Sequence, residues 1–308
     1  LRSVRIFKFN LPLWLVIAGL ALGFLVVGVA AYRLISGRPL GLRSWVNTQI
    51  YFASSHLKVL ADRKNVSALN QGEYTNLIFL HHSVGDNIIA QGGLRDLLSQ
   101  SGIHMTDQDY IEYGLSGPDG VFRGYTLNIP EDNTDPDGLA RIFRQPELPL
   151  PLNAFSGLMQ YEVVMMKSCF PANYIYSAEQ VAEYKAYYLA IRDRIDENPD
   201  RFFILLTIPP LNVAETNPVD AARARGVAEW MVSPEFTAGH PNMAVFDLYG
   251  FLAGDDPTKT DYNALKAEFS DGADSHPNAL ANRKVAPLLA EFIRQSIETY
   301  RVSQRAGQ

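Results

Sequence analysis

Four apolar runs constrain this chain more than any other feature. They lie in NLIFLHH from Asn76, EVVMMKS from Glu162, RFFILLTIPP from Arg201 and NMAVFDLYGFL from Asn242. Each has strand length and no polar alternation, so both faces of each strand must be covered. Stretches with helical spacing lie between them: NIIAQGGLRDLLSQSG, SAEQVAEYKAYYLAIRDRI and DAARARGVAEWMV. A longer one, NALANRKVAPLLAEFIRQSIETY, closes the chain and carries Pro287, which predicts a kink or a broken start. Ser177 is placed to cap the second stretch, and DYIEYG from Asp109 reads as a weaker strand. Strands alternating with helices predict a parallel sheet joined by right-handed crossovers. The expected architecture is α/β, a three-layer α/β/α sandwich with about five parallel strands.

In such sheets, sites lie beyond the carboxyl ends of the strands. Polar groups fall there repeatedly: His81-His82-Ser83, Gly114-Leu115-Ser116-Gly117, Lys167-Ser168-Cys169 and Thr207-Ile208-Pro209-Pro210. Acyl transfer needs a nucleophile, a base and donors for the oxyanion. Ser83 stands where a strand gives way to a helix. DGADSHPNALAN offers His276 as base, with Asp274 two residues earlier to orient the imidazole. Each has a plainer role: Ser83 as a helix cap, His276 as a surface-loop histidine. Cys169 is a rival nucleophile beside Lys167, although a free cysteine is more often a small buried apolar group. His81 alternates to the other face of its strand and reads as structural.

Taken together, these blocks resemble the SGNH/GDSL hydrolase superfamily over roughly residues 76–300. In that family a serine follows the first strand, a glycine the second and an asparagine the third, and an Asp–His pair precedes the last helix. The resemblance implies a flavodoxin-like sheet, Ser83 as nucleophile, His276 as base and Asp274 as orienting acid. It also implies Gly117 and Asn173 as oxyanion donors. GLSGPDG is similar to the second block, LLTIPPL and VFDLYGFL to the fourth and fifth strands, and DSHPNALANRKVAPLLAEFI to the last block. The pattern differs at three points. His81-His82-Ser83 stands for Gly-Asp-Ser, with His82 placed to contact substrate or fix the turn. MKSCFPANY stands for Gly-x-Asn-Asp, leaving Ser168 or Cys169 as alternatives to Asn173. Ala273 sits where the usual aspartate precedes the histidine, and Asp271 is a second candidate for Asp274. The implied activity is hydrolysis of an O-acyl ester, acetyl included, of a glycan or lipid. The alternatives are an O-acyltransferase using the same site and a catalytically silent subunit of a membrane complex.

The amino-terminal part reads differently. Residues 1–10 form a short arm. Residues 11–32, LPLWLVIAGLALGFLVVGVAAY, carry no charge and match the roughly 20 residues of a bilayer-spanning helix. Trp14 and Tyr32 stand near its ends, as interfacial rings do. Residues 33–75 form a juxtamembrane helix or stalk, and 76–308 the α/β domain. The expectation is a single-pass membrane protein, its partners the bilayer and other membrane subunits, with the globular domain extracytoplasmic. The formal net charge is −6 and no basic block follows the span, which argues against nucleic acid. No cofactor is required. Asn133, Asp135, Asp137 and Gly138 resemble the start of a calcium loop, but Arg144 stands where a bidentate glutamate belongs. An acidic loop on a Pro-Asp-Gly turn is the favoured reading there.

Overall fold

The computed structural model describes residues 4–6, 9–11, 23, 42–110, 113–127, 129, 135–272 and 274–306. The chain divides into two compact units, Leu1–Tyr51 and Phe52–Gln308. In the first, strand β1 (Val4–Ile6) pairs antiparallel with β2 (Phe9–Leu11). Of the apolar segment 11–32, Leu11 ends β2 and Gly23 is helical; the rest lies outside the described residues. No helix among the described residues is long and apolar enough to cross a membrane. Helix α1 (Leu42–Ala68) carries the chain into the second unit. There Val59 joins the core, Lys58 donates to the Gly124 carbonyl at 2.6 Å, and Asp62 accepts from the Tyr125 hydroxyl at 2.7 Å.

The second unit is built on a mixed sheet of six strands. These are β3 (Asn76–Leu80), β4 (His104–Gln108), β5 (Leu115–Ser116), β6 (Val163–Lys167), β7 (Phe202–Leu206) and β8 (Met243–Phe246). Their spatial order is β5-β4-β3-β6-β7-β8. All neighbouring pairs are parallel except β4 with β5, where Gln108 faces Leu115 and Asp107 faces Ser116. The parallel strands expected from sequence are therefore joined by a short antiparallel edge. Of the described residues in Asp109–Gly114, expected as a strand, Tyr113 and Gly114 turn back onto Tyr110. The amides of Tyr113 and Gly114 both donate to the Tyr110 carbonyl, at 3.0 and 2.8 Å. The strand itself, HMTDQ, lies just upstream and was hidden by its polarity. Its buried polar residues find partners outside the strand, as Gln108 does with the Thr126 hydroxyl at 3.0 Å.

The continuous apolar strands divide their side chains between two cores, as the period of two requires. Leu77, Phe79, Val163, Met165, Phe202 and Ile204 face one side. They pack with α2 (Ser83–Ala90), α3 (Leu94–Gln100), α9 (Leu248–Leu252) and α10 (Ala279–Ala306). Ile78, Leu80, Val164, Met166, Phe203 and Leu205 face the other side. There they meet α1, α4 (Pro136–Phe143), α5 (Ala154–Leu158), α6 (Ala178–Asp196), α7 (Pro218–Val232) and α8 (Pro234–Thr237). Full burial of one such Phe or Leu contributes about 1.5–3 kcal/mol, so the two cores dominate the stability.

Local sequence sets the boundaries. The stretch after Ser83 is two helices, because Gly93 takes a left-handed φ of 73° and starts α3. Ser177 caps α6, accepting from the Gln180 amide at 3.2 Å. NMAVFDLYGFL, expected as one strand, is a strand only to Phe246, because Asp247 caps α9 by accepting from Gly250 at 2.8 Å and turns the chain into that helix. Helix α10 runs from Ala279 through Pro287 to Ala306 without a break.

The topology also fixes where a site can form. From β3 the chain moves outward to β4, then returns to place β6 on the other side of β3. That reversal opens a crevice at the carboxyl ends of β3 and β6.

Candidate active site

Two segments meet at this crevice. His81 and His82 follow β3, and Ser83 opens α2. Across the switch point, Cys169 and Phe170 follow β6. Between them arrives the loop before α10, 193 residues further along the chain than Ser83, carrying His276.

His276 Nε2 lies 2.8 Å from Ser83 Oγ, and His276 Nδ1 lies 2.9 Å from Asp274 Oδ2. The other oxygen of Asp274 accepts the main-chain N–H of His276 at 2.8 Å. Hydrogen bonds from this amide and then from the ring hold the Asp274 carboxyl below the usual carboxylate range. An ionised Asp274 requires a proton on Nδ1, which leaves Nε2 to accept from the serine. The Phe170 ring meets the imidazole edge-on at 4.8 Å. The His276 side chain is 32% exposed and that of Asp274 50%, so water reaches the pair.

The loop is anchored from behind by Asn212. Its main-chain N–H donates to Ser275 Oγ at 2.7 Å, and its side-chain amide to the Asp274 carbonyl at 3.1 Å and to Ser270 Oγ at 2.7 Å. Ser275 Oγ in turn donates to Glu215. Asp271 accepts from the Asn278 side chain at 3.2 Å and takes no part in the Ser83–His276 chain.

The expected oxyanion donors are engaged elsewhere. The Gly117 amide donates to the Val121 carbonyl at 3.0 Å. Because β5 runs antiparallel to β4, Gly117 falls level with the early part of β4, where Arg95 binds the carbonyls of both Met105 and Gly117. The turn at Tyr110 therefore carries the second block away from Ser83. Asn173 is buried, and its amide nitrogen donates to the carbonyls of Ile208 at 3.0 Å and Pro209 at 2.7 Å. A carboxamide has two N–H donors, so none is left for an oxyanion in this conformation.

Of the alternatives at the third strand, Cys169 is the one at the site. Its Sγ lies 3.6 Å from Ser83 Oγ, and the residue is 2% exposed. Ser168 points to the opposite face, toward Tyr188. Lys167 is buried and donates to the Ser168 carbonyl at 3.3 Å; burial pushes its pKa down.

His82 is also buried. Its ring stacks on Tyr110 at 4.3 Å and 11°, and its carbonyl accepts the amides of Gly85 and Asp86 at 2.7 and 3.1 Å. It acts on the site through Tyr110 and the start of α2. Tyr110 is the residue that the sequence pattern missed. Burial raises the pKa of its hydroxyl, and the neighbouring Ser83 opposes that shift. The available signal was two tyrosines, Tyr110 and Tyr113, immediately past a strand end.

His81 is separate. Its Nε2 lies 3.2 Å from Asp107 Oδ2 and its Nδ1 3.1 Å from the His82 carbonyl. Arg95 also pairs with Asp107. Of the acidic-loop residues, Asp135 caps α4 by accepting from Gly138 at 2.9 Å, and Asp137 pairs with Arg141. Asn133 lies outside the described residues. Among the described residues no group of three or more His, Cys, Asp and Glu side chains is placed to hold a metal.

Comparison with known proteins adds no relative: no family model matches the chain, and no curated protein matches it significantly.

Proposed function

We propose that this chain is a serine ester hydrolase of the SGNH type, acting on an O-acyl ester of a glycan or lipid. The observation that carries the reading is the continuous chain from Asp274 through His276 to Ser83, with contacts of 2.9 and 2.8 Å. It sits at the switch point of a doubly wound sheet, where ligands of such sheets bind.

In the proposed reaction Ser83 Oγ attacks the ester carbonyl carbon, and its proton passes to His276 Nε2. Asp274 stabilises the resulting imidazolium and keeps its orientation. Collapse of the tetrahedral intermediate breaks the bond to the alkoxy oxygen, which takes the proton from His276. Water, deprotonated by the same nitrogen, then releases the acyl group from Ser83. The exposure of His276 and Asp274 favours water as the second acceptor, and so hydrolysis over transfer. Beside them lies a cavity of about 240 Å³ lined by Asn87, Gln91, Asp271 and Asn278. Amide and carboxylate walls suit the hydroxyls of a sugar-like leaving group better than an acyl chain. In this reading residues 11–32 anchor the enzyme in the bilayer, with the catalytic domain outside the cytoplasm.

The test is Ser83→Ala in the full chain, with p-nitrophenyl acetate as substrate. Loss of a triad nucleophile lowers kcat by about 10⁴-fold or more. Thermal unfolding should hardly move, since Ser83 Oγ gives up only the bond to partly exposed His276 and a long contact of 3.6 Å with Cys169 Sγ. Retention of activity would remove Ser83 from the role.

A further inference from the structure

We propose that Asn282 is a positioning residue, which sets the register of Ser83 on His276 by tying the helix that carries the serine to the loop that carries the histidine. This rests on the hydrolase reading above. The two side chains are 193 residues apart, and their 2.8 Å contact needs a part that touches both carriers. Asn282 does so. It stands in the first turn of α10 and is 1% exposed. One N–H of its side-chain amide donates to Gln91 Oε1 at 2.9 Å, and the other to the Pro277 carbonyl at 3.0 Å. Pro277 directly follows His276. Gln91 closes α2, the helix that Ser83 opens. Its main-chain N–H donates to the Asn87 carbonyl at 2.9 Å, and its side-chain amide to Asn87 Oδ1 at 3.0 Å. The rise from Ser83 to Gln91 is about 12 Å of helix, short enough to carry a shift at one end to the other.

The helices meet closely at this point. A Cβ on Gly92 would stand 2.5 Å from the Asn282 carbonyl oxygen and 2.6 Å from Ala286 Cβ, so α2 ends against the backbone of α10. Asn278 fixes the loop to the same helix, its Oδ1 accepting from the Ala281 N–H at 3.1 Å. Asn212 ties the loop to the segment after β7, whereas Asn282 ties it to α2.

A role in stability alone does not account for this side chain. Its Oδ1 is buried with no hydrogen-bond partner among the described residues, and an orphaned acceptor opposes folding. Around it α10 buries Ala281, Val285, Ala286 and Leu289, where an apolar residue would carry no such cost. What the carboxamide adds is two donors at a fixed angle, one for each carrier.

Gln91 is exposed, so its variants test the tie without opening the core. In the full chain, Gln91→Leu removes the acceptor, and kcat for p-nitrophenyl acetate should fall by about 10–10²-fold, the cost of a loosened reacting pair. KM should change by less than about threefold. Labelling of Ser83 by a fluorophosphonate should slow by the same factor, because its leaving group is fluoride and makes no use of the cavity that Gln91 lines. Gln91→Glu keeps an oxygen toward Asn282 and should recover kcat to within about threefold of wild type. A residue that served folding alone would lower the melting temperature and leave kcat per folded molecule in place. Asn282→Leu should lose about 10²-fold in kcat. Adding Gln91→Leu to it should cost less than about twofold more, since the bond is already gone. Should Asn282→Leu fail to fold, the two Gln91 variants decide alone. A smaller fall in kcat for Gln91→Leu, or a change confined to KM, overturns the proposal and leaves the hydrolase reading standing. An equal loss in Gln91→Glu, or full additivity in the double variant, overturns it too. A wild-type chain without esterase activity, or one whose activity survives Ser83→Ala, brings down both.

Discussion

Two histidine–carboxylate pairs flank the start of α2, and they have opposite fates. His81 meets Asp107 at 3.2 Å, and His276 meets Asp274 at 2.9 Å. The first ring is fully buried, its carboxylate is shared with Arg95, and its second nitrogen faces the His82 carbonyl. Both His81 nitrogens thus face acceptors, and neither can take a proton from a hydroxyl. The second ring is open to water, and its free nitrogen faces Ser83 Oγ. A histidine beside an aspartate does not define a catalytic pair; what faces the other nitrogen does. Gly85 ties the two pairs together, because a Cβ there would collide with the His81 ring. The helix that presents Ser83 rests directly on the structural pair.

The sharpest way to break this comparison is Asp274→Ala. The reading expects kcat for a short ester to fall by about 10⁴-fold, as the imidazole loses its tautomer and orientation. Melting temperature should hardly move, because Asp274 is half exposed. A fall of less than tenfold would place the orienting carboxylate elsewhere.

His81→Leu should do the reverse. It removes one of two hydrogen-bond partners from a buried carboxylate, at a cost of about 1–3 kcal/mol. Urea unfolding measures this directly. Activity per folded molecule should stay within about tenfold of wild type. A variant that is stable but inactive would give His81 a part in the chemistry.

The smallest effect separates the pairs by pH. Burial opposes ionisation of Asp107, but His81 and Arg95 outweigh it and hold the carboxyl below the ordinary carboxylate range. A lowered native pKa means that the folded state binds fewer protons than the unfolded chain. The stability it contributes is therefore complete above about pH 4 and is lost as pH falls further. In Asp107→Asn, unfolding free energy should decline less steeply than wild type between about pH 5 and pH 2. Parallel declines would assign the acid sensitivity to other carboxylates.

The parts of this molecule that could be read in advance are those whose cause is local. Strands β3, β6 and β7 announce themselves because both faces are apolar. The cap at Ser177 sits where a short oxygen-bearing side chain can meet the next turn. Strand β4 could not be read, because the reasons its Asp107 and Gln108 are tolerated inside lie on His81, Arg95 and Thr126. The site divides in the same way. Ser83, Asp274 and His276 occupy positions that their flanking elements predict. A role for Gly117 needs the chain after β4 to stay at the crevice, whereas β5 doubles back antiparallel along β4. Asn173 was assigned by chain order, but its amide is claimed by two carbonyls beyond β7. Tyr110 became visible only once the fold had placed its ring on His82.

The short Asp-x-His loop carries a consequence for how such a site is assembled. Both oxygens of Asp274 grip one residue, the amide through one and the ring through the other. Acid and base are therefore aligned by three consecutive residues, whatever the rest of the chain does. Only a single long-range registration remains, that of one imidazole nitrogen on one serine oxygen, and Asn212 pins the loop that sets it. An insertion in a surface loop between β3 and that loop, away from Cys169 and Asn212, can lengthen the protein without entering the alignment. A displacement of the loop by one ångström enters it directly.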